Sequence, residues 1–291
     1  ENLAQAAAAL GVEARWEFPE PGAVDGPTYA RLHFEGPTGD DGALSESLTL
    51  FRRHTNRLPY RRESVPPDAL DAVTGATEGP ARVVALSERD TIRSAGDLVR
   101  RASEVRFQTR ELVEWLGRSF RFGREAERGD GLDVATLHLP PGGDLFLRFI
   151  RDWRRMRLLN NAGAYKAMAV IDAQPVSAAP ALVAVVGPPG WRQTLDAGRL
   201  MERVWIDLNA RGLAVHPYYV VTDQLYRLAE GGVPPRLRRK VEVISSEVPG
   251  LFGLSGEETL QMLFRVGQPT KEPVRSRRLP LERVYTDLTA E

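Results

Sequence analysis

The chain has 291 residues, 42% of them hydrophobic, and no apolar run near the ~20 residues that a membrane span requires, so it reads as a soluble protein of one large domain or two smaller ones. A formal net charge of zero removes any global attraction to nucleic acid or anionic membrane, and any anion site has to be local. Cysteine is absent, which excludes disulfides, thiolate metal sites and cysteine nucleophiles and fits a reducing, cytoplasmic location.

Of the 39 basic residues only Lys166, Lys240 and Lys271 are lysine. A GC-rich coding genome accounts for such a bias, so the positions of the arginines carry information and their number does not. The opening ENLAQAAAALGVEARWEF reads as an alanine-rich helix stopped at Gly11, followed by a strand over Val12 to Phe18. A chain that starts inside a helix feeding a strand is expected to be cut from a longer one. Gly, Pro and Asp mark loops from Pro19 to Gly42 around one alternating segment, TYARLHF, and a helix is expected from Ser45 to Arg53.

The run RVVAL predicts a strand over Arg82 to Leu86, and Asp90 to Phe120 predicts one long helix with Leu98, Val105, Leu112 and Trp115 on its apolar side. Little periodic signal follows through Asn161, where DWRRMRLL is a candidate lid. IDAQPVSAAP reads as the approach to a core strand, and ALVAVVGPP as that buried strand. Next come a helix from Trp191 to Arg211 ending at Gly212, a strand in LAVHPYYVV, a helix in PPRLRRKVEVIS and a last core strand in QMLFRVG. Helices interspersed with irregularly spaced strands predict an α+β fold, a sheet packed between helices.

The most basic stretch is FRRHTNRLPYRRESVPPDAL. If the backbone leaves the helix and extends at Arg53, then Arg53, Thr55 and Arg57 project to one side and offer two guanidinium forks and a hydroxyl to a phosphomonoester. The competing reading is a solvated basic helix end favoured by the helix dipole. The histidines His33, His54, His138 and His216 are scattered without ligand spacing, so no metal site is expected. Neither a Gly-x-Gly-x-x-Gly turn after a strand nor a Gly-x-Ser-x-Gly elbow occurs. The arginines of RRASEVRFQTRELVEW alternate with glutamates at helical spacing, which describes a salt-bridged solvent face rather than a nucleic-acid surface.

The string RRHTNRLPYRRESVPPDAL resembles the opening signature of the nitroreductase flavoprotein family, an Arg-x-Ser/Thr-x-Arg cluster followed by an aromatic and a Val-Pro turn. That resemblance implies FMN, with Arg53, Thr55 and Arg57 holding its phosphate by side chain and His54 contacting the phosphoribityl end partly by backbone. VGQPTKEPVRSRRLPLERVY resembles the family's final strand and basic tail, which returns to the same phosphate; the register among Arg275, Arg277 and Arg278 stays open by one residue. DAGRLMERVWIDLNARGLAVHPYYVV resembles the helix and loop whose backbone edges the flavin ring, which places Pro217, Tyr218 and Tyr219 in that loop with an N–H toward flavin N5.

The resemblance implies a nitroreductase-like fold with a central, mostly antiparallel sheet between helices, and hydride transfer between NAD(P)H and a small, electron-poor acceptor through the flavin. No side chain is assigned as acid or base. Long two-part relatives are most similar, so residues 1–42 are expected to be the end of a first unit and 43–291 a second, together one compact domain. The partner arrangement is then a homodimer or an intrachain pseudo-dimer, with a possible upstream E1-like adenylating domain. The family's Pro-Ser-x-x-Asn-x-Gln-Pro-Trp segment has no match here. The alternative is therefore a flavin-binding or catalytically inactive module serving an adenylating domain.

Overall fold

The computed structural model describes residues 1–19, 29–36 and 48–287. Helix α1 (Asn2–Ala9) leads into a two-stranded antiparallel ribbon, β1 (Glu13–Glu17) with β2 (Arg31–Glu35), in which Arg15 faces His33. A short helix α2 (Thr49–Arg52) and α3 (Pro67–Thr74) precede β3 (Thr77–Glu78) and β4 (Ala81–Leu86). Helices α4 (Arg89–Gln108) and α5 (Arg110–Ser119) follow, then a small parallel pair, β5 (Phe120–Arg121) with β6 (Leu132–Asp133). Three helices come next: α6 (Gly143–Ile150), α7 (Trp153–Asn161) and α8 (Ala164–Ser177). The chain closes with β7 (Ala181–Gly187), α9 (Trp191–Ala210), β8 (Ala214–Tyr218), α10 (Val220–Ala229), α11 (Pro235–Phe252) and β9 (Thr259–Gly267).

Five strands form one antiparallel sheet in the order β3-β4-β7-β9-β8. All seven residues of β7 are buried because the strand lies at the centre with helices on both faces, which is why its sequence is a continuous apolar run rather than an alternation. Leu182, Ala184 and Val186 meet α4, α8 and α11 through Leu98, Val176 and Ile244. Ala181, Val183 and Val185 meet α3 and α9 through Val73, Leu200 and Val204. Burying each of the larger side chains, Leu or Val, contributes about 1.5–3 kcal/mol, so the two faces of β7 hold both helical layers. The α4–α8 contact is close: a Cβ added at Gly96 would lie 2.0 Å from Ser177 Oγ.

The ribbon residues dock on α9. Arg199 lies 4.6 Å above the Trp16 ring and Arg192 3.2 Å above Phe18, while the Glu1 carboxylate is 3.0 Å from Arg199. The expected boundary at residue 42, and Ser45 to Ser47 of the helix expected before Arg53, lie outside the described residues. Among the described residues no helix is long and apolar enough to cross a membrane.

The structure departs from the pattern reading in four places. The helix expected from Asp90 to Phe120 is broken at Thr109, which is extended at φ −99° and ψ 114°. Asn160 Nδ2 donates to the Phe107 carbonyl at 2.8 Å and Arg236 Nη2 to the Gln108 carbonyl at 2.8 Å, so partners distant in sequence satisfy the helix end that a continuing turn would otherwise cover. Ile171 to Ser177 belong to α8, with Pro175 inside the helix, and are not an extended approach to β7. Helix α10 begins at Val220, inside the run LAVHPYYVV read as a strand, and continues through residues to which the pattern assigns no element. The weakly patterned region through Asn161 holds α6 and α7 with their own small core around Ile150 and Met156, and the lid candidate is α7.

Candidate functional site

The basic segment leaves α2 at Arg53, whose backbone turns to φ −56° and ψ 128°. Thr55 forms a parallel bridge with Val215 of β8, and the Asn56 N–H donates to the Val215 carbonyl at 2.9 Å. The segment therefore runs along the outer edge of the sheet. Main-chain groups alternate sides along a strand, so Pro217 faces the same edge as Val215, where the ladder needs no donor.

Asn56 is 1% exposed and works as a hub. Its Oδ1 accepts from the Leu58 N–H at 3.0 Å and its Nδ2 donates to the Lys271 carbonyl at 3.3 Å. Nearby, the Arg61 N–H donates to the Gln268 carbonyl at 2.9 Å and the Thr270 hydroxyl to the Pro59 carbonyl at 2.8 Å. A buried amide that lacks partners is costly, so these bonds fix the segment and the chain beyond β9 side by side.

Arg265, the one charge in the β9 run TLQMLFRVG, is 2% exposed. Leu263 packs with the α4 and α8 core, and Phe264 and Val266 with the α9 core, so alternation puts Arg265 on the Leu263 face. The same parity on β8 puts His216 with Tyr218, and their rings lie 4.5 Å apart. Arg265 Nη2 donates to the Asn56 carbonyl at 3.0 Å and to the Leu58 carbonyl at 2.9 Å, and its guanidinium sits 3.9 Å above the Tyr60 ring. The Tyr60 hydroxyl donates to the same Asn56 carbonyl at 2.8 Å, and burial pushes that phenol up to about 12. Burial holds the His216 imidazole well below its ordinary value, helped by Arg265 and Arg57, and its Nδ1 is buried without a partner. The Tyr218 phenol is raised, again chiefly by burial.

Arg57 leaves the hub half-buried, with Nη1 donating to Thr136 Oγ1 at 3.3 Å. Burial lowers its guanidinium, and the neighbouring groups that act on it are Tyr218 and Tyr60. Among the described residues no carboxylate lies within ion-pair distance of Arg57 or of Arg265. His138 stands close by with a left-handed φ of 51°, its imidazole lowered by burial and then by Lys271 and Arg57. Its Nε2 accepts from the Val274 N–H at 3.3 Å and so ties the C-terminal tail to the Thr136 turn.

The other residues expected at the site divide. Arg53 is already engaged, 2.7 Å from Glu202 and 4.4 Å from the Trp205 ring centre; burial lowers its guanidinium, and Arg278 contributes a like charge, so tail and segment meet here too. His54 Nδ1 is 2.8 Å from the Arg52 carbonyl and its Nε2 3.8 Å from Glu272 of the tail. Arg275 pairs with Glu272 at 3.7 Å, and Arg277 and Arg278 are exposed. The loop that the resemblance implies at Pro217, Tyr218 and Tyr219 is almost wholly replaced by regular structure: Pro217 and Tyr218 pair with Phe264 and Leu263 in the sheet, and Tyr219 is the N-cap of α10. The residue pattern of LAVHPYYVV reads as strand, and the pairing with β9 bears that out through Tyr218. Tyr219 is 51% exposed and interacts with Asp223 and Tyr226, apart from the cluster.

Sequence reasoning missed Asn56, Tyr60, Thr136, His138, His216 and Arg265. Only Arg265 left a signal, a charge in the middle of an apolar strand.

No family model matches the chain, and no curated protein does either. Solved structures similar to it over most of its length include nitroreductases. A nitroreductase with bound FMN from Bacteroides fragilis is 14% identical at a TM-score of 0.43, the match covering 82% of this chain and 96% of that one. The FMN-dependent nitroreductase NfnB from Mycobacterium smegmatis, in complex with NADPH, is 19% identical at 0.49, covering 85% and 99%. NfrA2 from B. megaterium is 14% identical at 0.44, covering 84% and 74%. These likenesses are distant, and the site described above stands on its own geometry.

Proposed function

We propose that this chain is a nitroreductase-like flavoprotein unit that binds FMN and passes hydride between NAD(P)H and a small, electron-poor acceptor. The observation that carries the reading is the half-buried Arg57 guanidinium, which among the described residues has no carboxylate partner where the Thr55 segment and the basic tail meet. A cation left without its counterion in such a place suits an anionic ligand. The residues fit the phosphate end of FMN. Arg57 and Thr55 would hold it, with Arg278 closing from the tail; Arg53 contributes through field rather than contact because Glu202 occupies it. FMN, when bound, supplies the two-electron chemistry. The protein contributes placement and electrostatics: buried Arg265 and Arg57 make the niche positive, while the neutral His216 and protonated Tyr218 add no charge.

Residues 1–42 would be the end of a first unit and 43–291 a second, forming a pseudo-dimer or homodimer in a cytoplasmic protein that an adenylating domain can accompany. A second reading, a flavin-holding module without turnover, is favoured by the Arg53–Glu202 pair, which withdraws one of the two expected guanidinium forks. Absorbance at flavin wavelengths in the purified protein, bleached by NADH or NADPH without oxygen, is the expected result. A yellow protein that neither nicotinamide reduces leaves the second reading, and a colourless one that takes up no added FMN refutes both.

A further inference from the structure

The site contains a second cation, Arg265, only 2% exposed, that touches no carboxylate among the described residues. Arg265 spends its Nη2 on the carbonyls of Asn56 and Leu58, the residues on either side of Arg57. Carbonyl oxygens turned into an anion site repel the ligand, and Arg265 holds both of the carbonyls that flank Arg57. The Tyr60 ring stacks on the guanidinium and its hydroxyl holds the Asn56 carbonyl a second time. On the other strand His216 is directly across from Arg265, and its unpartnered Nδ1 accepts nothing from it, so the guanidinium is committed to the segment.

We infer that Arg265 is a positioning residue for anion binding: by clamping the carbonyls that flank Arg57 it fixes the direction of the Arg57 side chain, without touching the ligand itself. The inference rests on the proposed anion site at Arg57 and extends it to a residue in the core of the sheet. A lysine cannot replace this arginine, because an ammonium lacks the planar face that lies on Tyr60 and the fork that spans two carbonyls. A methionine of similar volume preserves packing and removes the buried charge, a change that cores tolerate.

The test compares Arg265→Met, Arg57→Ala and the double variant, with FMN and inorganic pyrophosphate as separate probes, and with amide hydrogen exchange read without ligand. Arg265→Met is expected to weaken both probes about tenfold or more in the otherwise unchanged protein, and less than about twofold in the Arg57→Ala background, the non-additivity of two residues acting on one contact. The Asn56 and Leu58 amides are expected to exchange at least about tenfold faster in Arg265→Met, with β7 protection unchanged. Equal weakening in both backgrounds, or unchanged exchange at Asn56 and Leu58, overturns the inference. If Arg265→Met does not fold, Tyr60→Phe replaces it. Loss of the hydroxyl bond to Asn56 is expected to speed the same amides and weaken the probes, and wild-type behaviour in Tyr60→Phe overturns the inference. Because the exchange measurement needs no flavin, a wild-type protein that binds no FMN refutes the proposed function while the exchange rates still decide the role of Arg265.

Discussion

Replacing Arg57 by alanine removes the one guanidinium that emerges from the Asn56 hub half-buried and without a carboxylate. In the ligand-free protein it donates only a long 3.3 Å bond to Thr136 Oγ1, so little folding stability is at stake. Toward an anion the situation reverses. A charge-assisted hydrogen bond in a partly desolvated place is worth roughly 1.5–3 kcal/mol, which corresponds to about a 10- to 160-fold loss of affinity. The assay is a titration of apoprotein with FMN followed by flavin fluorescence, alongside urea denaturation of both proteins. The expected pattern is a midpoint and slope close to wild type with affinity lowered by that factor. Wild-type FMN affinity in a folded Arg57→Ala protein refutes the assignment of the anion site.

Arg53→Ala should behave in the opposite way. Its partner Glu202 has a side chain only 12% exposed and would be left without a counterion, so a stability loss of about 1–3 kcal/mol in urea denaturation is expected, with a smaller effect on FMN binding. Gly129→Ala is predicted to loosen the tail: Gly129 has φ 70°, and an added Cβ would lie 2.5 Å from the Arg278 carbonyl, so about 1–2 kcal/mol of backbone strain combines with displacement of the tail, read as faster proteolytic cleavage after Arg277 or Arg278. Glu258 tests acid stability. Hydrogen bonds from Arg82 lower its carboxyl from 4.5 to about 2, so the stabilisation is complete above about pH 5 and is lost as pH falls toward 2; Glu258→Gln should flatten the stability profile in that window and leave the neutral region's slope unchanged.

Some of this architecture was readable because local backbone geometry writes a period into the sequence. The run ALVAVVG announces a strand buried on both faces, and Leu200, Val204 and Leu208 on α9 announce the stripe that covers one of them. Arg53, Thr55 and Arg57 could be singled out because their spacing matters only if the chain extends after α2, and the turn at Arg53 meets that condition. Thr109 could not be seen as a helix break, since the residues that satisfy the helix end are Asn160 and Arg236. LAVHPYYVV could be read as a strand, while the loop that the resemblance implies at Pro217 and Tyr218 is excluded by their pairing with β9.

The division between Arg53 and Arg57 has the same origin. Both are arginines, four residues apart in one extended stretch, and nothing local distinguishes them. Glu202 and Trp205 on α9 reach one, while the hub at Asn56 turns the other toward Thr136 and His138. Arg265 lies 209 residues from the Asn56 carbonyl it holds. Composition and periodicity report what each segment can bury, because burial depends on the side chains of that segment. Which cation keeps its charge free for a ligand depends on strand register and on groups contributed from the other end of the chain, and those are set only when the sheet closes.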